Sequence, residues 1–128
     1  MRQLLDTHAL LWFAAGDSQL SPAARAAIES VGNESYVSVA SLWEMGIKIS
    51  LGRLDVGMSL GAFVRDHILG NGLNLLRISP EHVEGIVGLP FHHRDPFDRL
   101  LIAQALGEEM PIVGRDPEFV KYGVTLVW

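Results

Sequence analysis

The 128-residue sequence contains no cysteine, and this absence excludes two kinds of site. Neither a disulfide framework nor a zinc site built from thiolates can form. No uninterrupted apolar stretch approaches the roughly 20 residues that a membrane-spanning helix needs. The first residues also lack a basic segment followed by a long apolar core, so we expect no signal peptide and a cytoplasmic protein.

Several common motifs are missing as well. The 13 glycines follow neither the phosphate-loop nor the dinucleotide-binding pattern. No two of the five histidines have the spacing of a histidine metal site, and no serine has the surroundings of a catalytic nucleophile. We interpret His67 and His82 as helix-surface residues, and we expect His8 to line a cleft. His92 and His93 are interpreted as loop histidines, with contact to a phosphate as the alternative.

The formal net charge of −5 would ordinarily oppose binding to nucleic acid. That argument weakens when several carboxylates bind divalent cations, because a bound metal ion can be the largest local charge. The charge balance therefore neither supports nor excludes a nucleic-acid partner.

Short apolar segments alternate along the chain with longer segments of helical period. With 48% hydrophobic and 20% charged residues, the sequence is typical of one globular domain spanning residues 1–128. Interleaved strands and helices predict a three-layer α/β/α fold, with a mainly parallel sheet of about five short strands covered on both faces. The predicted strands are Arg2–Asp6, Ser35–Val39, Leu73–Ile78, Pro111–Val113 and Val124–Trp128. The predicted helices are His8–Ala15, Pro22–Val31, Ala40–Leu51, Leu60–Leu69, Pro80–Val87 and Pro96–Gly107, with a short turn of helix at Pro117–Tyr122.

Four helices begin with a capping side chain followed by proline. The cap accepts hydrogen bonds from free backbone N–H groups at the helix start, and proline is preorganised for the first helical position. These pairs are Ser21-Pro22, Ser79-Pro80, Asp95-Pro96 and Asp116-Pro117.

The helix that starts at Asp95 carries a second carboxylate, Asp98, in its first turn. Leu101, Ile102 and Ala105 share a helical face with Asp98, at the spacing of a buried stripe. We therefore expect the Asp98 side chain to point along the core surface into a cleft.

Three further acidic residues occupy comparable places. Asp6 ends the first predicted strand, Glu44 lies early in the helix after the second, and Asp116 follows the fourth. Ligands of parallel sheets bind outside the carboxyl ends of the strands, where these residues and Asp98 would meet. Crowded carboxylates repel one another and need cations, and Mg²⁺ and Mn²⁺ accept sites made only of oxygen. Such ions beside a phosphodiester can activate water and stabilise the leaving oxygen.

Each acidic residue also has a purely structural interpretation. Asp6, Asp95 and Asp116 can each serve as a helix N-cap. Glu44 can pair with Lys48, which lies four residues further along the same helix. Singly these signals are weak, and together their register with the strand ends favours a site.

Four segments, in order, resemble the motifs of the PIN-domain family over essentially the whole chain. Residues 4–12, LLDTHALLW, look like the opening motif, whose Asp is a metal ligand. Residues 37–45, VSVASLWEM, resemble the second motif, with Glu44 in the acidic position. Residues 98–105, DRLLIAQA, are similar to the third, and residues 114–119, GRDPEF, resemble the fourth.

Among PIN domains, the segment HRDPFDR at residues 93–99 and the Leu-Trp-Glu helix are similar to the VapC-type toxins of bacterial toxin–antitoxin pairs. This resemblance implies an Mg²⁺- or Mn²⁺-dependent endoribonuclease that is silenced by a small VapB-like antitoxin and forms a homodimer. It also implies site residues of three kinds. Primary metal ligands would be Asp6 and Asp98, supporting ligands or water-orienting bases Glu44 and Asp116, and further substrate or supporting contacts Asp95, Thr7, Arg115 and Lys48.

One position departs from the family pattern. Gly114 occupies the place usually held by Thr or Ser, so a hydroxyl that would orient substrate or a metal-bound water is missing. Arg115 is a candidate to compensate by contacting a phosphate.

Two predicted helices, His8–Ala15 and Ala40–Leu51, carry apolar side chains on nearly all faces. Such helices are either enclosed in a core or partly covered by another chain. Core burial explains most of these side chains. Trp12 and Trp43 are nevertheless candidates for a groove that binds an antitoxin helix.

Two other functions stay open at this point. A phosphatase of the haloacid-dehalogenase type also places an aspartate at a strand end, but it needs a second Asp two residues later, where this sequence has His8. A non-catalytic interaction module would use the acidic residues only as helix caps.

Overall fold

A five-stranded parallel sheet forms the centre of the protein in the computed structural model, which describes all residues from Met1 to Trp128. The strands lie in the order β3-β2-β1-β4-β5, and every neighbouring pair is parallel. The fold prediction is therefore confirmed. The strands are β1 (Arg2–Leu5), β2 (Glu34–Ser38), β3 (Asn74–Leu76), β4 (Ile112–Val113) and β5 (Leu126–Val127).

Helices connect the strands. Leu60–Leu69, predicted as one helix, begins as a short α-helix, continues as a π-helical turn over Val64–Ile68 and ends in a 3₁₀ turn over Leu69–Asn71. None of the helices is long and apolar enough to cross a membrane. The α-helices are α1 (Thr7–Ala15), α2 (Pro22–Glu29), α3 (Val39–Ser50), α4 (Leu60–Phe63), α5 (Pro80–Val87) and α6 (Pro96–Gly107), and a 3₁₀ helix spans Pro117–Tyr122.

The two faces of the sheet carry separate cores because successive side chains of a strand point to opposite sides. Leu4 of β1 joins a cluster formed with α6 and the 3₁₀ helix, whereas its neighbour Leu5 joins a cluster formed with α1, α2 and α3. Ile112 and Val113 of β4 divide in the same way. This alternation produces the three layers.

All four predicted pairs of cap and proline start a helix, so that prediction is confirmed. The Ser21 hydroxyl accepts from the Ala24 N–H at 3.0 Å, and the Ser79 hydroxyl accepts from the His82 N–H at 3.2 Å. Asp95 caps α6 and Asp116 caps the 3₁₀ helix.

The prediction that His82 lies on a helix surface is wrong. Its side chain is 5% exposed and lies between α5 and the end of α6. The ring Nδ1 accepts the Ser79 backbone N–H at 3.0 Å, and Nε2 lies 3.1 Å from Glu108 Oε1. His82 is therefore a buried capping residue. His67 is also partly covered, with its ring 5.2 Å from the ring of Phe63.

Candidate active site

The four predicted acidic residues meet at one cavity of about 350 Å³ at the carboxyl edge of the sheet. Asp6 directly follows β1, and Asp116 lies just beyond β4. Glu44 lies on α3, which begins directly after β2, and Asp98 lies in the first turn of α6. Three of the predicted supporting residues line the same cavity: Thr7, Lys48 and Asp95.

Asp6 is held rigidly at the floor of this cavity. Its side chain is 7% exposed, and Oδ1 accepts the Ala9 N–H at 2.7 Å, so Asp6 does cap α1. Gly114 lies against the same carboxylate, where any Cβ would fall 2.9 Å from Asp6 Cγ and closer still to Oδ2. Burial raises the pKa of the Asp6 carboxyl, and the hydrogen bond from Ala9 lowers it only in part.

Glu44 is fixed by two partners from the chain. Thr7 Oγ1 donates to Glu44 Oε1 at 2.9 Å, and Lys48 Nζ donates to Oε2 at 2.9 Å. The side chain of Glu44 is 13% exposed, compared with 45% for Lys48. The predicted pair between Glu44 and Lys48 is therefore present, and Glu44 also lines the cavity.

Asp95 and Asp98 differ sharply in their surroundings. Asp95 is exposed, and its Oδ1 accepts the N–H groups of Phe97 at 2.9 Å and Asp98 at 3.1 Å. Asp98 accepts no hydrogen bond from the chain, although its side chain is only 32% exposed. Burial, followed by repulsion from the other acidic residues of the cavity, raises the pKa of Asp98 to about 7.

Asp116 is partly buried and caps the last helix. Its Oδ1 accepts the Glu118 N–H at 3.0 Å, so Asp116 has the capping role that the sequence predicted. Asp116 nonetheless lines the acidic cavity and a smaller adjoining cavity that contains Asp6 and Arg115.

The donors around this cavity suit a hard divalent cation. They are carboxylate oxygens and one hydroxyl, the ligands that Mg²⁺ and Mn²⁺ prefer. Burial, followed by repulsion from the neighbouring carboxylates, raises the pKa of Asp98, so the chain itself leaves the charge of this carboxylate uncompensated. No group of three or more His, Asp or Glu side chains already has the geometry of a metal site. The residues therefore fit such an ion by their chemistry, and its binding would require small movements of their side chains.

Basic side chains surround the acidic cavity. Lys48, Arg53 and His8 line it, so the placement of His8 in the cleft agrees with the structure. The guanidinium of Arg115 stacks 4.6 Å above the Trp12 ring and also lies 5.8 Å from the Trp128 ring.

Arg53 was missed by sequence reasoning. It follows Gly52 in the turn that closes α3, and Gly52 has a φ of 71° there. The signal for Arg53 was its position just past the C-terminus of the helix that carries Glu44 and Lys48.

The two candidate groove residues lie on different surfaces. Trp12 lines an apolar groove of about 530 Å³ that adjoins the acidic cavity and shares Leu11 and Leu54 with it. Trp43 is not part of this groove. Its side chain is 61% exposed, and its ring packs edge-to-face against the Phe97 ring at 5.1 Å. Core burial therefore does not account for Trp43.

Trp43 belongs instead to an exposed apolar stripe along α3 and the residue that follows it, Leu51. The members of the stripe recur every fourth residue and all lie at the surface: Val39, Trp43, Ile47 and Leu51. Residues at this spacing share one face of a helix.

The fold and the site together define the class of protein. It is an α/β/α domain with a carboxylate-lined cavity at the carboxyl edge of a parallel sheet. The model of the PIN domain family matches residues 4–124. The chain belongs to the PIN-domain family, so the resemblance in the sequence motifs is confirmed.

Two solved structures have the same fold. The VapBC2 complex of Rickettsia felis, bound to a DNA fragment from its promoter, contains a chain with a TM-score of 0.73 and 13% identity; the match covers 98% of this chain and 97% of that one. The FitAB complex bound to the IR36 DNA fragment gives a TM-score of 0.65 and 16% identity, over 98% and 93% of the two chains. No curated protein matches the sequence.

Proposed function

We propose that this PIN domain is a divalent-metal-dependent endoribonuclease and the toxin of a VapBC-like toxin–antitoxin pair. The observation that carries the proposal is the environment of Asp98. Asp6, Asp95 and Asp116 all cap helices and Glu44 pairs with Lys48, so a purely structural role would explain these residues. Asp98 neither caps a helix nor accepts a hydrogen bond from the chain, although its place in the first turn of α6 suits the helix dipole, and its burial raises its pKa to about 7.

A buried carboxylate without a hydrogen-bond partner in the chain is expected where function requires it. The cost of burying Asp98 is removed when a cation binds beside it. This argument favours an ion-binding cavity over a non-catalytic module that uses its acidic residues only as caps.

In this proposal Asp6 and Asp98 hold Mg²⁺ or Mn²⁺, and Glu44 and Asp116 support the ion or orient water. When bound, the ion lowers the pKa of water and stabilises the leaving oxygen of the phosphodiester. The chain keeps the carboxylates in place: the Ala9 N–H orients Asp6, and Thr7 and Lys48 orient Glu44. The fixed carboxylates lower the rearrangement needed for catalysis.

We propose that the basic residues around the cavity bind the phosphates of the RNA. Lys48 and Arg53 line it, and Arg115 lies beside Asp6 and Asp116 in the adjoining cavity. These cations would offset the negative charge of the carboxylates in the cavity and attract the RNA backbone.

We propose the apolar groove lined by Trp12 as the antitoxin surface. An amphipathic helix or strand laid into this groove would end at the acidic cavity, because Leu11 and Leu54 line both. The similarity of fold to chains of the VapBC2 and FitAB complexes supports a partner of this kind. The exposed stripe on α3 is our proposed homodimer surface.

Cleavage of RNA by purified protein, with and without Mn²⁺, tests the proposed activity. Wild-type protein should cleave only with the metal, and Asp98→Asn should be inactive. Asp66→Asn is a matched control, since Asp66 is half exposed and pairs with Arg65 outside the cavity. Cleavage that survives in Asp98→Asn, or that needs no metal, would contradict the proposal.

A further inference from the structure

His93 lies beside Asp98 and has an unusual environment. Its Nε2 is fully buried, has no hydrogen-bond partner and lies 3.7 Å from Asp98 Oδ2. An unsatisfied buried polar group lowers the stability of the fold, so such groups need an explanation. The other ring nitrogen, Nδ1, is 2.9 Å from the Tyr122 hydroxyl.

The tautomer of His93 follows from the contacts of Tyr122. The Tyr122 oxygen accepts the backbone N–H groups of His92 and His93, each at 3.1 Å. Both of its lone pairs are then used, and the hydroxyl proton is the one group left to bond with Nδ1. Nδ1 must therefore be the acceptor, and the proton of the neutral ring lies on Nε2.

This tautomer directs a donor at Asp98. Phe119 contacts the His93 ring edge-on at 6.0 Å, and the 3₁₀ helix that carries both Phe119 and Tyr122 is capped by Asp116. The ring is thus fixed on one side by an element that starts at the acidic cavity. The 3.7 Å separation from Asp98 exceeds the usual hydrogen-bond length of about 2.7–3.2 Å. Hydrogen bonds of this kind are often long before substrate and ion are bound.

We propose that His93 is a positioning residue for Asp98: Tyr122 fixes its tautomer, and its Nε2–H holds Asp98 Oδ2 so that Oδ1 is presented to the cavity. The inference rests on the proposed function, because it assumes that Asp98 binds a cation. A donor held against a ligating carboxylate fixes its orientation, and loss of such a partner typically weakens metal affinity about 10–100-fold.

The tautomer is measured directly by ¹⁵N NMR of the imidazole groups in metal-free protein at about pH 8, where an ordinary histidine is neutral. His93 should carry its proton on Nε2 in the wild type. Tyr122→Phe removes only the hydroxyl and should give a mixture of tautomers. A wild-type His93 that carries its proton on Nδ1 would overturn the inference.

The effect on Asp98 is measured by calorimetric titration of Mn²⁺ into folded variants. His93→Ala should bind Mn²⁺ about 10–100-fold more weakly, and His93→Gln, which restores an N–H donor near the Nε2 position, should recover part of the loss. His92→Ala is the matched control, since the exposed His92 ring also contacts Tyr122 but makes no contact with Asp98. Its affinity should equal that of the wild type.

The outcomes separate this inference from the proposed function. A wild-type protein that binds no Mn²⁺ contradicts the proposed function and the inference together. Wild-type binding that His93→Ala leaves unchanged overturns the inference alone. Tyr122→Phe gives an independent reading if His93→Ala does not fold, because phenylalanine retains the buried ring, and it should weaken Mn²⁺ binding in the same direction.

Discussion

The backbone of Gly114 lies in close contact with the carboxylate of Asp6. A Cβ at position 114 would lie 2.9 Å from Asp6 Cγ, which real side chains do not tolerate without movement. Asp6 cannot move freely, because its Oδ1 is bonded to the Ala9 N–H at 2.7 Å. Glycine at position 114, where the family usually has Thr or Ser, therefore leaves space for the Asp6 carboxylate.

The contact predicts that restoring the usual residue will impair this protein. Gly114→Ser should displace the Asp6 carboxylate and reduce RNA cleavage, with Gly114→Ala equally harmful because the Cβ is the cause. Steady-state cleavage by the two variants, with folding checked by thermal melting, measures this. Higher activity in Gly114→Ser would mean that the missing hydroxyl matters and that Asp6 has room to adjust.

Asp6→Asn should abolish cleavage with little loss of stability. Asparagine keeps the oxygen that accepts the Ala9 N–H, so α1 remains capped, and removal of one charge relieves repulsion at the cavity. We expect the melting temperature of the metal-free protein to fall by no more than a few degrees. Undiminished cleavage by this variant in Mn²⁺ would remove Asp6 from the mechanism.

The raised pKa of Asp98 predicts that the contribution of this residue to the stability of the metal-free protein falls as the pH rises. Between about pH 4, the ordinary carboxyl value, and about pH 7, the folded state binds this proton and the unfolded state does not, so folding is favoured at the acidic end. Asp98→Asn removes the effect. It should stabilise the protein by about 1 kcal/mol or more at pH 8, and by much less near pH 4.

Urea denaturation of wild-type and Asp98→Asn protein at both pH values, with metal removed, measures this difference. Asp66→Asn serves as the control because its carboxylate is exposed and the hydrogen bond from Arg65 lowers its pKa. An equal effect of Asp98→Asn at both pH values would show that Asp98 ionises normally.

The two acidic residues at the start of α6 should separate by function. Asp95 caps the helix through two hydrogen bonds, so Asp95→Ala should cost about 1 kcal/mol, while Asp95→Asn keeps the cap and substantial cleavage. Asp98→Asn should lose cleavage. The reverse result would make Asp95 the ligand and Asp98 a residue that only stabilises the helix dipole.

Trp12 and Trp43 lie on different surfaces, so their replacement should affect different properties of the protein. Trp12→Ala should weaken antitoxin binding by about 2 kcal/mol or more, because Trp12 lines the apolar groove. Trp43→Ala should leave that affinity unchanged and lower the stability of the fold by much less than the 3–5 kcal/mol typical of a buried aromatic residue, since Trp43 is 61% exposed. If Trp12→Ala loses stability but keeps its affinity for the antitoxin, the groove is not the antitoxin surface.

Local signals predicted most of the fold. Each of the four pairs of cap and proline acts within one turn of helix, so neighbouring residues alone determine it. The meeting of Asp6, Glu44, Asp98 and Asp116 followed from the rule that parallel strands share a carboxyl edge, whereas the strand order was not predicted.

Most of the features that sequence reasoning missed depend on contacts between distant segments. His82 is buried because Gln104 of α6 and Glu108, which directly follows α6, lie against it. Neither the exposure of Trp43 nor the link from Tyr122 to His93 has a signature in local periodicity. The close approach of Gly114 to Asp6 likewise has no signature in the sequence, because the two residues belong to different strand ends.

The linked release of protons on Mn²⁺ binding tests the central claim, that the acidic cavity is a metal site with Asp98 as a ligand. A carboxyl with a pKa of about 7 is about half protonated at pH 7, and a metal ion must displace that proton. Calorimetry of Mn²⁺ binding in buffers of different ionisation enthalpy should therefore show release of about half a proton at pH 7, falling towards zero near pH 9. Asp98→Asn should lose most of the binding and the proton release with it. Absence of Mn²⁺ binding by the wild type, or binding without proton release that Asp98→Asn leaves intact, would contradict the account.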